Sequence, residues 1–129
     1  MAYLEHVNIT VADPKASARL LNDLFGWKIR WEGEAINGGY TVHVGNDESY
    51  VALYTGPGGL PDNQKLADSS YMVRGGLNHL GVVVGDIADL DKKVRSLGYT
   101  PGEHYDYEPG ERFYFREENG IEIEVVSYS

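Results

Sequence analysis

The 129-residue chain contains no cysteine, which excludes disulfides, thiolate metal sites and a cysteine nucleophile. Any metal must therefore be held by His, Asp or Glu. Positive charge is scarce too: 11 Lys and Arg stand against 20 Asp and Glu, for a formal net charge of -9. A phosphate backbone calls for a basic stripe, so no nucleic-acid partner is expected. No apolar run approaches the roughly 20 residues of a membrane helix, so no membrane partner is expected either. The opening Met1-Ala2-Tyr3-Leu4-Glu5-His6 lacks the basic-then-apolar pattern of a signal peptide, and a cytoplasmic location is expected.

What the chain does have is a repeat. Val7, Ile9 and Val11 alternate with His6, Asn8 and Thr10, the period of a strand with one apolar and one polar face. Asp13 then reads as a helix N-cap with Pro14 at the first helical position, Leu20, Leu21, Leu24 and Phe25 as an apolar stripe, and Gly26 as the stop. Strands are predicted over Trp27 to Glu32, Gly39 to Val44 and Ser49 to Tyr54. From Gly56 to Gly76 five Gly and two Pro interrupt any period, which predicts a long connection that lids a site.

Leu77 to Asp86 then lines up with Leu4 to Asp13, placing His79 over His6 and Asp86 over Asp13. A second helix is predicted from Ile87 to Leu97 with Gly98 as its stop, followed by strands over Tyr99 to Tyr107, Arg112 to Arg116 and Ile121 to Tyr128. The expected fold is α+β: two β-α-β-β-β modules, module 1 over about residues 3–56 and module 2 over about 77–128, joined by a loop at 57–76. Each module alone is too small to bury its sheet well, so the two are expected to form one cupped mixed sheet in a single domain, 1–129.

Alternation turns His6, Asn8 and Thr10, His79, Gly81 and Val83, and Glu122, Glu124 and Val126 away from the helices, together with Tyr50, Ala52 and Tyr54. Under an approximate two-fold, His6 matches His79 and Glu124 matches Ala52, a four-cornered site with one empty corner. Two imidazoles and a carboxylate suit Fe(II), Mn(II), Ni(II) or Zn(II) and leave coordination positions open for substrate. The competing reading makes the histidines hydrogen-bonded structural residues. Glu122 reads as a rim residue, solvated or supporting a ligand, and Arg112 and Arg116 as exposed strand residues.

The paired halves with His6, His79 and Glu124 resemble the vicinal oxygen chelate superfamily, which includes glyoxalase I, extradiol dioxygenases, bleomycin-binding proteins and fosfomycin-modifying enzymes. The resemblance spans Leu4 to Val126. It implies His6, His79 and Glu124 as metal ligands, with Fe(II) or Mn(II) favoured and Ni(II) or Zn(II) as alternatives. Glyoxalase-like members use a fourth ligand where this chain has Ala52, so a lyase of that kind would have an altered fourth ligand. His104, Phe113-Tyr114, Gly120 and Glu124 are similar to the extradiol dioxygenase signature, which implies Tyr114 as a substrate-orienting and His104 as an acid or base residue. The implied pocket is Asn8, Tyr50, Ala52, Tyr54 and Glu122. The function expected is a metal-dependent dioxygenase, thiol transferase or lyase acting on a small oxygen-chelating metabolite, in a homodimer whose sites form within one chain or across two. The alternative is a metal-free protein that sequesters a small molecule, as bleomycin-binding relatives do, against Trp27, Trp31 and the tyrosines of the cup.

Overall fold

The computed structural model of the protein describes residues 2–35, 38–60 and 70–128. Two units, Met1–Gln64 and Lys65–Ser129, each carry one helix and one four-stranded mixed sheet. The first holds β1 (His6–Thr10), α1 (Pro14–Phe25), β2 (Lys28–Glu34), β3 (Tyr40–Gly45) and β4 (Tyr50–Thr55). The second holds β5 (Leu80–Val83), α2 (Ile87–Ser96), β6 (Tyr105–Tyr107), β7 (Gly110–Arg116) and β8 (Glu122–Ser127).

The strand orders, β1-β4-β3-β2 and β5-β8-β7-β6, are the same topology twice, with the first strand parallel to the fourth and the rest antiparallel. That is the α+β arrangement the internal repeat predicts.

The first helix starts and stops for local reasons. The Asp13 side chain accepts hydrogen bonds from the Lys15 and Ala16 N–H groups, each at 3.2 Å, satisfying donors that the first turn leaves open. Gly26, at φ 72°, takes the left-handed conformation and donates its N–H to the Asn22 carbonyl at 2.8 Å. Ala18, Leu21 and Leu24 are buried from one face of α1, which packs on β3 and β4 above Val42, Val44, Val51 and Leu53. Each buried leucine contributes about 2 kcal/mol to holding the helix there. In the second unit Asp86 caps α2 by accepting from the Asp89 N–H at 3.0 Å. Ile87, Leu90 and Val94 face a core of Phe113, Phe115, Ile123 and Val125.

Two strands are shorter than the sequence predicts. Of the stretch 99–107 only Tyr105–Tyr107 pairs, opposite Gly110–Arg112. Upstream, Pro101 has no N–H to give a ladder, and the backbone meets β7 through a bond from the Gly102 N–H to the Tyr114 carbonyl, 2.8 Å. β5 begins at Leu80, so His79 lies just before its strand, whereas His6 opens β1. The middle of the expected 57–76 connection, 61–69, lies outside the described residues. Of its flanks, Gly56 to Gly59 closes one turn, and two consecutive turns, Ser70 to Val73 and Val73 to Gly76, lead into the second unit.

Candidate functional site

Because the apolar residues of each sheet turn toward its helix, the alternate positions gather on the opposite, open face. In the first unit the register sets His6 beside Tyr50, Asn8 beside Ala52 and Thr10 beside Tyr54, so four of the expected pocket residues do share one surface. The His6 ring stacks on Tyr50 at 4.8 Å between centroids. Also stacked on Tyr50, at 4.6 Å, is a residue the sequence reading passed over: His43 of β3. Its Cα partner is Ala52, so an imidazole stands beside the corner where alanine leaves no ligand. Trp31, half exposed, tilts against His43 at 5.2 Å, and the Arg30 guanidinium lies 4.5 Å above the Tyr50 ring. Burial, with His6 and Arg30 nearby, pulls the His43 pKa below its usual value. The signal for His43 was present: Val42 and Val44 alternate with Thr41 and His43.

In the second unit Gly81 pairs with Glu124, and Glu124 with Tyr114. Glycine at 81 leaves open the space beside Glu124. The carboxylate is nearly buried and meets three groups: His79 Nε2 at 3.4 Å from Oε2, Arg112 Nη1 at 3.5 Å from Oε1, and the Tyr114 hydroxyl. The hydrogen bond to Glu124, with burial and the carboxylate's charge, pushes the Tyr114 pKa up to about 12. Tyr114 is therefore a proton-bearing phenol at neutral pH, and its ring meets His79 edge-on at 5.6 Å.

Of the two readings of Glu122, solvated at the rim or supporting a ligand, the solvated one does not match its burial. Only 13% of its side chain is exposed. Its Oε1 accepts from the Tyr71 hydroxyl at 2.5 Å and its Oε2 from Arg116 at 3.1 Å. Arg112 departs from expectation as well: its side chain is 11% exposed, lies 4.9 Å above the Tyr107 ring, and has a buried Nε with no hydrogen-bond partner among the described residues. Arg116, at 54%, is the exposed strand residue expected.

The remaining candidate, His104, stands on the other face of the sheet from Tyr114. It stacks on Phe113 at 5.0 Å and is gripped at both ring nitrogens, by Asp91 of α2 at 2.7 Å and by Glu111 at 3.1 Å.

Both repeat-related histidines have the same ring nitrogen engaged. His6 Nδ1 lies 2.8 Å from Glu5 Oε1, and His79 Nδ1 lies 3.1 Å from the Tyr71 hydroxyl and 3.5 Å from Glu122 Oε1. A metal-ligating histidine characteristically has its second nitrogen held in this way, so the donor set fits a divalent ion bound through Nε2. Among the described residues no three His, Asp or Glu side chains gather closely enough to hold an ion. The physical reason in the second unit is that Glu122 and Glu124 address opposite nitrogens of His79.

A family model, the Glyoxalase/Bleomycin resistance protein/Dioxygenase superfamily, matches residues 3–125. The chain belongs to this superfamily. Among solved structures of the superfamily's fold, the glyoxylase/bleomycin resistance protein/dioxygenase domain from Frankia sp. EAN1pec superposes with a TM-score of 0.78 at 23% identity, covering 98% of this chain and 92% of that one. The fosfomycin resistance protein FosX from Mesorhizobium loti gives 0.72 at 21% identity, over 98% and 91% of the two chains. FosX from Listeria monocytogenes, complexed with Mn(II) and sulfate, gives 0.74 at 13% identity, over 100% and 94%. At these identities the likeness is one of fold. No curated protein matches the chain in sequence.

Proposed function

We propose that this superfamily member is a divalent-metal-dependent enzyme acting on a small oxygen-chelating metabolite, with His79 and Glu124 as ligands and His6, from the same or a second copy of the chain, as the third. The observation that carries the reading is the pairing of His79 Nε2 with Glu124 Oε2 at 3.4 Å, while the Nδ1 atoms of both His6 and His79 are engaged elsewhere. Two imidazole nitrogens and one carboxylate suit Fe(II) or Mn(II), with Ni(II) or Zn(II) as alternatives, and the Mn(II) in a fosfomycin resistance neighbour supports assaying Mn(II) first. Bound there, the ion would supply Lewis acidity to substrate oxygens.

The chain's own groups do the rest. Tyr114 keeps its proton, which it donates in a hydrogen bond to Glu124 in the free protein and would donate to a substrate oxygen bound beside that carboxylate. Arg112 offsets the charge of Glu124. Asn8, Tyr50, Ala52 and Tyr54 offer a mixed aromatic and polar surface to the substrate, and Glu122 holds the ligand shell. His104, on the opposite face, acts as a tie between β7 and α2 rather than as an acid or base. The fosfomycin resistance neighbours support small oxygen-bearing antibiotics as first substrates, ahead of catechols. The reading includes a cytoplasmic homodimer.

A second reading rests on the aromatic row His6, Tyr50, His43 and Trp31 of the first unit: metal-free sequestration of a flat small molecule. Elemental analysis separates the two. After anaerobic incubation with Mn(II) or Fe(II) and desalting, the enzyme reading expects near one metal per chain, lost in His79→Ala. No retained metal in either protein sinks it, and a ligand screen monitored by tryptophan fluorescence becomes the next step.

A further inference from the structure

Tyr71 lies in the segment between the two modules, outside every strand, yet its hydroxyl touches two site residues at once. It donates to Glu122 Oε1 at 2.5 Å and lies 3.1 Å from His79 Nδ1. The segment is shaped to bring it there. Val73 N–H bonds to the Ser70 carbonyl at 3.1 Å and Gly76 N–H to the Val73 carbonyl at 2.9 Å, while Ser70 Oγ donates to Asn78 Oδ1 at 2.8 Å. A Cβ on Gly76 would stand within van der Waals overlap of the Ser70 carbonyl oxygen and Cβ, so only glycine lets the double turn close.

Donor counting then fixes the hydrogens. A phenol has one hydrogen, and an ionised carboxylate only accepts. With the Tyr71 hydrogen given to Glu122, which is also paired with Arg116 at 3.1 Å, the phenol oxygen can meet His79 Nδ1 only as an acceptor. Nδ1 must carry the hydrogen. When the ring is neutral, the lone pair of Nε2 faces Glu124 Oε2, 3.4 Å away, two electron-rich atoms that a proton or a metal cation between them would satisfy. Direct donation from Nδ1 to Glu122 Oε1, at 3.5 Å, is the longer and weaker route to the same tautomer.

We infer that Tyr71 is a positioning residue: through the chain Glu122, Tyr71, His79 it fixes the tautomer and ring orientation of His79 so that Nε2 is presented as an electron-pair donor beside Glu124. The consequence for function rests on the metal-dependent reading above; the tautomer does not. No catalytic step passes through Tyr71, which reaches the site only by way of the histidine.

Long-range ¹H–¹⁵N spectra of the ¹⁵N-labelled, chelator-treated protein, recorded where histidine is neutral and assigned with His79→Gln, report the tautomer directly. Wild type should show His79 with a protonated Nδ1 and an unprotonated Nε2. Tyr71→Phe, which keeps the ring and removes the hydroxyl, should shift His79 toward a mixture, as should Glu122→Leu. Glu122→Gln keeps an acceptor for the phenol and should retain the wild-type pattern. Mn(II) titration of the same proteins should show affinity weakened at least tenfold in Tyr71→Phe, the effect expected when a ligand loses its supporting hydrogen bond.

A wild-type His79 protonated at Nε2, an unchanged pattern in Tyr71→Phe, or an altered pattern with unchanged Mn(II) affinity each overturns the inference. If no variant and not even wild type holds Mn(II), the metal reading fails, and the spectra alone still decide whether Tyr71 sets the tautomer.

Discussion

Arg112 of β7 and Glu124 of β8 meet diagonally across adjacent strands, Nη1 to Oε1 at 3.5 Å, each with only 11% of its side chain exposed. A charge pair this far from solvent is costly to break from one side, because the remaining partner keeps its desolvation without its counter-charge.

Arg112→Met should therefore destabilise the metal-free protein by about 2 kcal/mol, less than an isolated buried pair because His79 and Tyr114 also meet Glu124. Calorimetry should show Tm lowered by several degrees. Adding Mn(II) should recover part of the loss if Glu124 is a ligand. A Tm equal to wild type would mean that the guanidinium does not hold this carboxylate.

Tyr114→Phe should leave the fold intact, since the ring packed near His79 is kept, while removing the donor beside Glu124. A loss of about a hundredfold in kcat is expected, comparable to deleting one oriented hydrogen-bond donor. Spectrophotometric titration gives an independent check: wild type should carry one tyrosine more than the variant that ionises only near pH 12. Equal titration curves would remove the proposed contact.

The pair His104 and Asp91 predicts a pH window. Burial lowers the His104 pKa, but hydrogen bonds to Asp91 and Glu111 outweigh it and the net shift is upward. Its stabilisation is then fully present below the unfolded value, about 6.5, and is lost as pH rises through the folded one. The Asp91 pKa is lowered, by Arg95 first and, against an opposing effect of burial, by His104. That contribution is present above the unfolded value, about 3.9, and is lost as pH falls through the folded one. Stability from this cluster should be greatest between these limits, and His104→Phe should flatten the decline of Tm as the pH rises above about 6.5. The same slope in both proteins would show that His104 is not the group responsible.

Glu117 organises the turn between β7 and β8. Although buried, with its pKa raised by that burial, it accepts from the Asn119 backbone N–H at 2.5 Å, the Ile121 backbone N–H at 3.0 Å and the Asn119 amide at 2.8 Å. Glu117→Ala orphans two backbone donors and should cost about 2 kcal/mol, seen as a lower midpoint in urea with an unchanged slope. Because β8 carries Glu124, metal affinity should fall with it.

The sequence by itself determined the elements and their duplication. Period-2 alternation in His6 to Val11, an Asp-Pro start and a glycine stop for α1, and the overlay of Leu77 to Asp86 on Leu4 to Asp13 are local signals. Local signals suffice where a strand has one apolar face or a helix end needs a cap. The same alternation turned His6, His79 and Glu124 away from the helices, and the family resemblance pointed to Tyr114. Tertiary structure alone decided which groups pair. Tyr71 gives no periodic signal, because a turn folded onto Gly76 carries it to Glu122, 51 positions away. His104 shares a motif with Tyr114, yet it lies on the other face, because the Asp91 and Glu111 carboxylates hold it beside the ring of Phe113. Arg112 looks like any solvent-facing strand residue until Tyr107 and Glu124 close over it. In each case the deciding quantity is the burial of a polar group and the partner that compensates it, and neither is a property of a residue's immediate neighbours in the chain.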